Sequence, residues 1–156
     1  MADLLTLAQL REILEGNRGL TVRTLQAFPE QNLFTYAAPG MRPAAELFKE
    51  IMDMERAFLR GIATGEWVYA ATTKEIATKE GLLEAFAALR SQTQAWWEKI
   101  TIDRLLAVED DGFGWMPPMT NLNRVIYGLE NEIHHRGQVY VYLRQLGVEP
   151  PAFYER

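Results

Sequence analysis

The chain has 156 residues, of which 48% are hydrophobic and 24% charged, and its net charge is −5. That length and balance predict one globular domain over residues 1–156, and an acidic chain without a basic run excludes a duplex-binding surface, which needs clustered Lys and Arg. Cysteine is absent, which excludes a disulfide framework, a thiolate zinc site and a Cys nucleophile.

Residues 1–7 lack a basic segment followed by an apolar run, so no signal peptide is expected. No stretch approaches the roughly 18 apolar residues that span a bilayer. The expectation is a cytoplasmic protein with neither membrane nor nucleic acid as partner.

The first helix is predicted from Thr6 to Ala27, with Leu7, Leu10, Leu14, Thr21, Thr24, Leu25 and Phe28 near one face. Gly16 and Gly19 lie inside it and point to a close contact or a bend; Pro29 ends it. A loop is predicted from Glu30 to Pro43, turning at Pro39-Gly40. The second helix starts near Arg42–Pro43 and carries an inward stripe of Leu47, Ile51, Met54, Phe58 and Ile62. Glu50 borders that stripe, and Asp53 lies nearer its edge. Thr64-Gly65 ends this helix, and residues 67–78 form a partly extended connection.

The third helix is predicted from Lys79 to Lys99, capped by Thr78, with Leu82, Phe86, Leu89, Thr93, Trp96 and Ile100 inward. Residues 101–119 are irregular. Leu105–Val108 and Phe113–Met116 flank an Asp-Gly pair in the pattern of a short β-hairpin. The fourth helix runs from Asn121 to Leu146, capped by Thr120 or Asn121, with Val125, Gly128, Asn131, Glu132, His135, Val139, Tyr142 and Leu146 on one face. Gly147 and Pro150-Pro151 stop it. Four long amphipathic helices define an all-α, antiparallel four-helix bundle with a long irregular connection before the last helix.

Both histidines of the chain lie in the last helix. Asn131 and His135 are spaced i, i+4 on the apolar side and point into the bundle. His134 faces outward, where Glu130 can pair with it. Glu50 is inward on another helix, and facing helices of a bundle are where metal sites are built. Spacing leaves three outcomes open: a metal held by Glu50, Asn131 and His135, a buried Glu–His hydrogen-bonded pair, or residues that do not converge. Gly137 reads as a packing contact with a neighbouring helix, Arg136 and Arg144 as surface or ion-pair residues, and Trp96, Trp97 and Trp115 as mostly core, with one or two rings available to line a pocket. A ferritin-like di-iron bundle is excluded, because Glu-x-x-His occurs once, at Glu132 and His135. The single serine, Ser91, lies in a helix without a nucleophile-elbow context.

The run His134-His135-Arg136-Gly137-Gln138-Val139, continuing through Leu143-Arg144, Gly147 and Pro150-Pro151, resembles the C-terminal signature of the DinB/YfiT-like superfamily of damage-inducible-type bacterial four-helix bundles. Phe34 to Leu47, Glu55 to Phe58 and Thr64 to Trp67 extend the resemblance over most of the chain. It implies an antiparallel bundle, often a homodimer, with a metal held by three histidines. The second-helix histidine falls on Glu50, the first fourth-helix histidine on Asn131, and the second on His135, which is retained. His134 falls on a position that is not a ligand.

Three imidazoles suit zinc, nickel or iron, whereas a Glu/Asn/His set favours manganese, magnesium or calcium, binds zinc weakly, or stands empty. The resemblance implies one of two functions. One is a metal-dependent thiol S-transferase, or a related transferase or hydrolase, acting on a small-molecule substrate with a low-molecular-weight thiol such as bacillithiol or mycothiol. Glu50 and His135 would be catalytic, holding the metal or, without it, serving as an oriented general base. The other is a metal-free, non-catalytic, small-molecule-binding or stress-associated structural dimer.

Overall fold

A computed structural model describes residues 5–156. Helix α1 spans Leu7–Ala27 and begins at a capping box: Thr6 accepts from the Gln9 amide while the Gln9 side chain accepts from Thr6. A four-residue helix α2, Glu30–Leu33, stands where a loop was expected; it is too short for apolar periodicity to register. Helix α3 spans Ala44–Thr64, with Pro43 at its N-cap and Gly65 closing it at φ 77°. Helix α4 spans Lys79–Trp97, capped by Thr78.

Residues 101–119 depart from expectation. The first half of the stretch read as the first hairpin strand, Leu105 and Leu106, belongs to a second short helix, α5, Ile102–Leu106, started by the Thr101 hydroxyl accepting from the Arg104 amide. The sheet is smaller and displaced. Strand β1, Val108–Glu109, pairs antiparallel with β2, Met119–Thr120, in the register Val108↔Thr120 and Glu109↔Met119. Asp110 and Asp111 do turn the chain, each accepting from the amide two residues on, and Gly112 takes φ 71°. The turn lies inside a loop, so it does not close the ladder. Helix α6, Asn121–Gln145, follows, with Thr120 as its cap.

The four long helices form a bundle in which α3 packs on α4 and α6, and α1 on the same two. Side-chain pairs give the directions. Glu50 meets Asn131 and His135 while Phe58 lies beside Gly128, so α3 and α6 are antiparallel. Arg11 pairs with Glu98 and Glu15 with Arg90, so α1 and α4 are antiparallel. Phe48 meets Phe86, and Arg56 and Arg60 lie beside Gln92 and Trp96, so α3 and α4 run the same way. Segment 65–78 therefore has to travel back along the bundle. It is held by Asp53, which accepts from Thr72 at 2.8 Å and Thr73 at 2.7 Å, and by Trp67, which lies flat on Gly61. A Cβ at Gly61 would come within 2.1 Å of the Trp67 ring, so only glycine permits this approach.

Two apolar clusters fill the bundle, one around Phe28, Phe48, Phe86 and Tyr142 and one around Leu10, Ile62, Trp97 and Val125. Buried charges lie between α1, α3 and α6. Glu132 accepts from Arg18 at 3.0 and 3.1 Å and from Thr21 at 2.5 Å. Arg18 also pairs with Glu55 at 2.7 Å. Arg136, read from sequence as a surface or ion-pair residue, is buried and is an ion-pair residue, 4.0 Å from Glu132; it donates to the Asn17 carbonyl, Asn17 Oδ1 and Thr21, each at 3.0 Å. Gly137, expected at a helix contact, is exposed, and a Cβ there would meet nothing within 4 Å. Of the three tryptophans read as core, Trp97 is buried, Trp96 half-buried and Trp115 exposed.

Candidate functional site

The i, i+4 spacing on α6 puts Asn131 and His135 one turn apart on the side facing α3, and Glu50 reaches them from that helix. Glu50 Oε1 lies 2.9 Å from His135 Nε2, and Asn131 Nδ2 lies 3.2 Å from each of those atoms. The three residues named from sequence therefore converge.

Two neighbours complete the cluster. Gln138 Oε1 is 3.0 Å from His135 Nδ1, and Arg42 Nη1 is 2.5 Å from Glu50 Oε2. Gln138 sits at i+3 from His135, a spacing that could have disclosed it in the sequence. Arg42 lies in coil before α3, where periodicity carries no signal. His134 is exposed and hydrogen-bonds Gln138 at 3.2 Å; the expected pairing with Glu130 does not form.

The electrostatics follow from these contacts. The His135 hydrogen bond, aided by Arg42 and Asn131, outweighs burial and draws the Glu50 carboxyl from 4.5 down to about 2. Glu50 is thus a fixed carboxylate. Within this cluster one buried polar atom has no hydrogen-bond partner: Asn131 Oδ1. An orphan acceptor of this kind costs about 1–3 kcal/mol unless something fills its need.

This donor set suits a divalent cation. Adjacent ligands of an octahedral ion with bonds of about 2.1 Å stand roughly 3 Å apart, and the Glu50, Asn131 and His135 atoms already form a triangle with edges of 2.9 and 3.2 Å. Turning over the Asn131 amide would bring its oxygen into that triangle, and amide orientation is an assignment. Among the described residues no cluster of three or more His, Cys, Asp or Glu side chains assembles a metal site. The amide would therefore be the third protein donor. Arg42 opposes a cation by neutralising Glu50, but an ion pair whose guanidinium is half exposed is worth only about 0–1 kcal/mol.

The irregular segment lies on the same face. Trp115 packs against Phe58 of α3 and Tyr127 of α6, with ring centroids 6.2 and 6.0 Å apart. Tyr69 joins it at 6.4 Å. The Tyr69 hydroxyl is pushed up by burial and then by the charges of Glu50 and Asp53, which places it in the field of the site. A cavity deeper in the bundle, beside Arg18, Glu55 and Glu132, holds only about 40 Å³, room for water but not for an organic substrate. No described helix is long and apolar enough to cross a membrane.

The profile of the DinB family matches residues 1–156. Among solved structures the chain is similar to a DinB-like protein of Bacillus subtilis, at 25% identity and a TM-score of 0.75 over 95% of this chain and 99% of that one. It is also similar to a DinB-like protein of Bacillus cereus, at 19% identity and a TM-score of 0.77 over 94% and 97%, a likeness of fold alone. No curated protein matches the chain.

Proposed function

The chain belongs to the DinB family, and on that premise we propose that Glu50, Asn131 and His135 hold a divalent cation and support group transfer from a low-molecular-weight thiol. The observation that carries this reading is the 2.9–3.2 Å donor triangle beside an unpartnered Asn131 oxygen. A bound cation would supply Lewis acidity, lowering the pKa of a coordinated thiol so that it is nucleophilic near neutral pH. The chain's own residues do the rest. Glu50 stays ionised and brings the negative charge that a cation needs. His135 presents Nε2 to the site while Gln138 fixes its ring through Nδ1. Arg42, half exposed at the edge, is free to leave Glu50 and meet an anionic group of the incoming thiol or substrate.

A second reading rests on one observation: both Glu50 oxygens and both His135 nitrogens already have partners. In that reading the cluster is a closed, metal-free polar lining, and the protein binds a small molecule without chemistry. The homodimer belongs to the same proposal, and light scattering should give twice the 17.9 kDa of one chain. The activity is tested by following loss of a thiol such as bacillithiol against a generic electrophile, with and without added manganese or zinc. The transferase reading predicts metal-dependent consumption that His135→Ala abolishes. Metal bound with no thiol consumed would remove the transferase reading and leave only the cation site.

A further inference from the structure

We propose that Trp115, Tyr127 and Tyr69 form a binding wall for a neutral, planar aromatic group on the small molecule whose reactive end lies at Glu50 and His135. This rests on the site reading above and adds the substrate class. The placement follows from helix geometry. Glu50, Met54 and Phe58 follow one another at i+4 along α3, and His135, Asn131 and Tyr127 do so in the opposite sense along α6. The seam between the two helices is polar at one end and aromatic at the other. Tyr127 stands one turn, about 6 Å, from Asn131.

The wall is exposed and yet fixed. Trp115, Tyr69 and Tyr127 are 45%, 43% and 37% exposed, unusual for rings that ordinarily bury most of their area. Phe113 stacks on Trp115 at an interplanar angle of 9° and backs the surface. The loop carrying both rings is pinned from below by Arg124, which is fully buried. Arg124 donates to Asp111 at 3.0 Å, to the Glu109 carbonyl at 2.6 Å and to the Met119 carbonyl at 3.1 Å, with Trp67 stacked on its guanidinium. Burying a charge pair is costly, and three of the four hydrogen bonds go to loop 109–119, the other to Asn121 Oδ1, so they hold in place the loop that carries Trp115.

Charge selects the ligand further. The carboxylates whose field reaches Tyr69, Glu50 and Asp53, are each paired, with Arg42 and Arg56, so they leave the wall without net charge. A ring without charge, able to take an offset or edge-on contact, is the group that such a surface favours.

The test is a nuclear magnetic resonance titration of the full chain with 2-naphthalenemethanol and, as a non-aromatic control, cyclohexylmethanol, in the presence of chelator. The naphthyl probe should bind and the cyclohexyl probe should bind at least fivefold more weakly. Trp115→Phe should keep affinity within about threefold, and Trp115→Leu, which fills space without a π face, should lose about tenfold. Comparing Phe with Leu avoids the void that alanine would leave in the loop. Equal affinity for the two probes, equal affinity in the two variants, or no naphthyl binding would overturn the wall. Because chelator is present throughout, none of these outcomes depends on whether the cation site is real.

Discussion

A carboxylate that meets an imidazole on one oxygen and a guanidinium on the other is stabilised as the anion, and Glu50 is that residue here. Its folded pKa of about 2 lies below the ordinary 4.5. The stability it contributes is therefore complete above pH 4.5 and is lost as pH falls from there toward 2. Acid titration of urea midpoints should be flatter over that window in Glu50→Gln than in the native chain; parallel profiles would mean that Glu50 is not held by its neighbours. Glu132 makes a stronger demand. It is buried against Arg18, Thr21 and Arg136, so Glu132→Ala leaves Arg136 without its carboxylate and Arg18 with Glu55 alone, and should cost about 3–5 kcal/mol in urea denaturation. A loss below about 1 kcal/mol would show that water replaces the carboxylate. The second cluster is harder to read from sequence: Glu132 falls on the inward face of the last helix, but Arg18 and Arg136 are residue types that usually face solvent, and only tertiary contact reveals them as its partners.

At the level of elements, the long helices were legible because each carries a stripe of apolar residues long enough to count, with Thr78, Thr120, Gly65 and Gly147 marking ends. Helices α2 and α5 were not, since four or five residues give no period. The strands were misplaced for another reason. Residues 105–108 and 113–116 have hairpin composition, but Asp111 is committed to Arg124 and Gly112 turns within the loop, so the ladder closes further out at Val108 and Thr120. Gly137 was misread as well: glycine in mid-helix suggested a neighbour, and the space beyond it is open. Gly137→Ala should therefore raise stability by about 0.5–1 kcal/mol through helix propensity alone. Destabilisation, measured by thermal or urea unfolding, would mean that a second chain packs there.

For the whole molecule, the directions of the four helices explain why the site lies where it does. Because α3 and α4 run parallel, the connection between them must cross the length of the bundle, and it brings Tyr69 and Thr72 alongside α3. The loop before α6 meets it from the other side with Trp115. The polar cluster of Glu50, Asn131 and His135 lies on the α3/α6 seam beside that meeting. Sequence spacing alone put Asn131 and His135 on one face, because i, i+4 pairing survives any arrangement of the bundle, and the apolar stripe beside Glu50 turned it inward on its own helix. It could not supply Arg42, which reaches Glu50 from coil, nor the aromatic wall, whose rings come from three separate segments.

Metal content of the untagged protein tests the account most directly. The chain is prepared without chelator, incubated with manganese, zinc or nickel, freed of excess ion and analysed by inductively coupled plasma mass spectrometry beside His135→Ala. The donor triangle predicts close to one ion per chain, with manganese retained, and its loss in the variant. No ion in either sample under any of the three metals would contradict the cation site and leave the closed Glu50–His135 pair as the correct description.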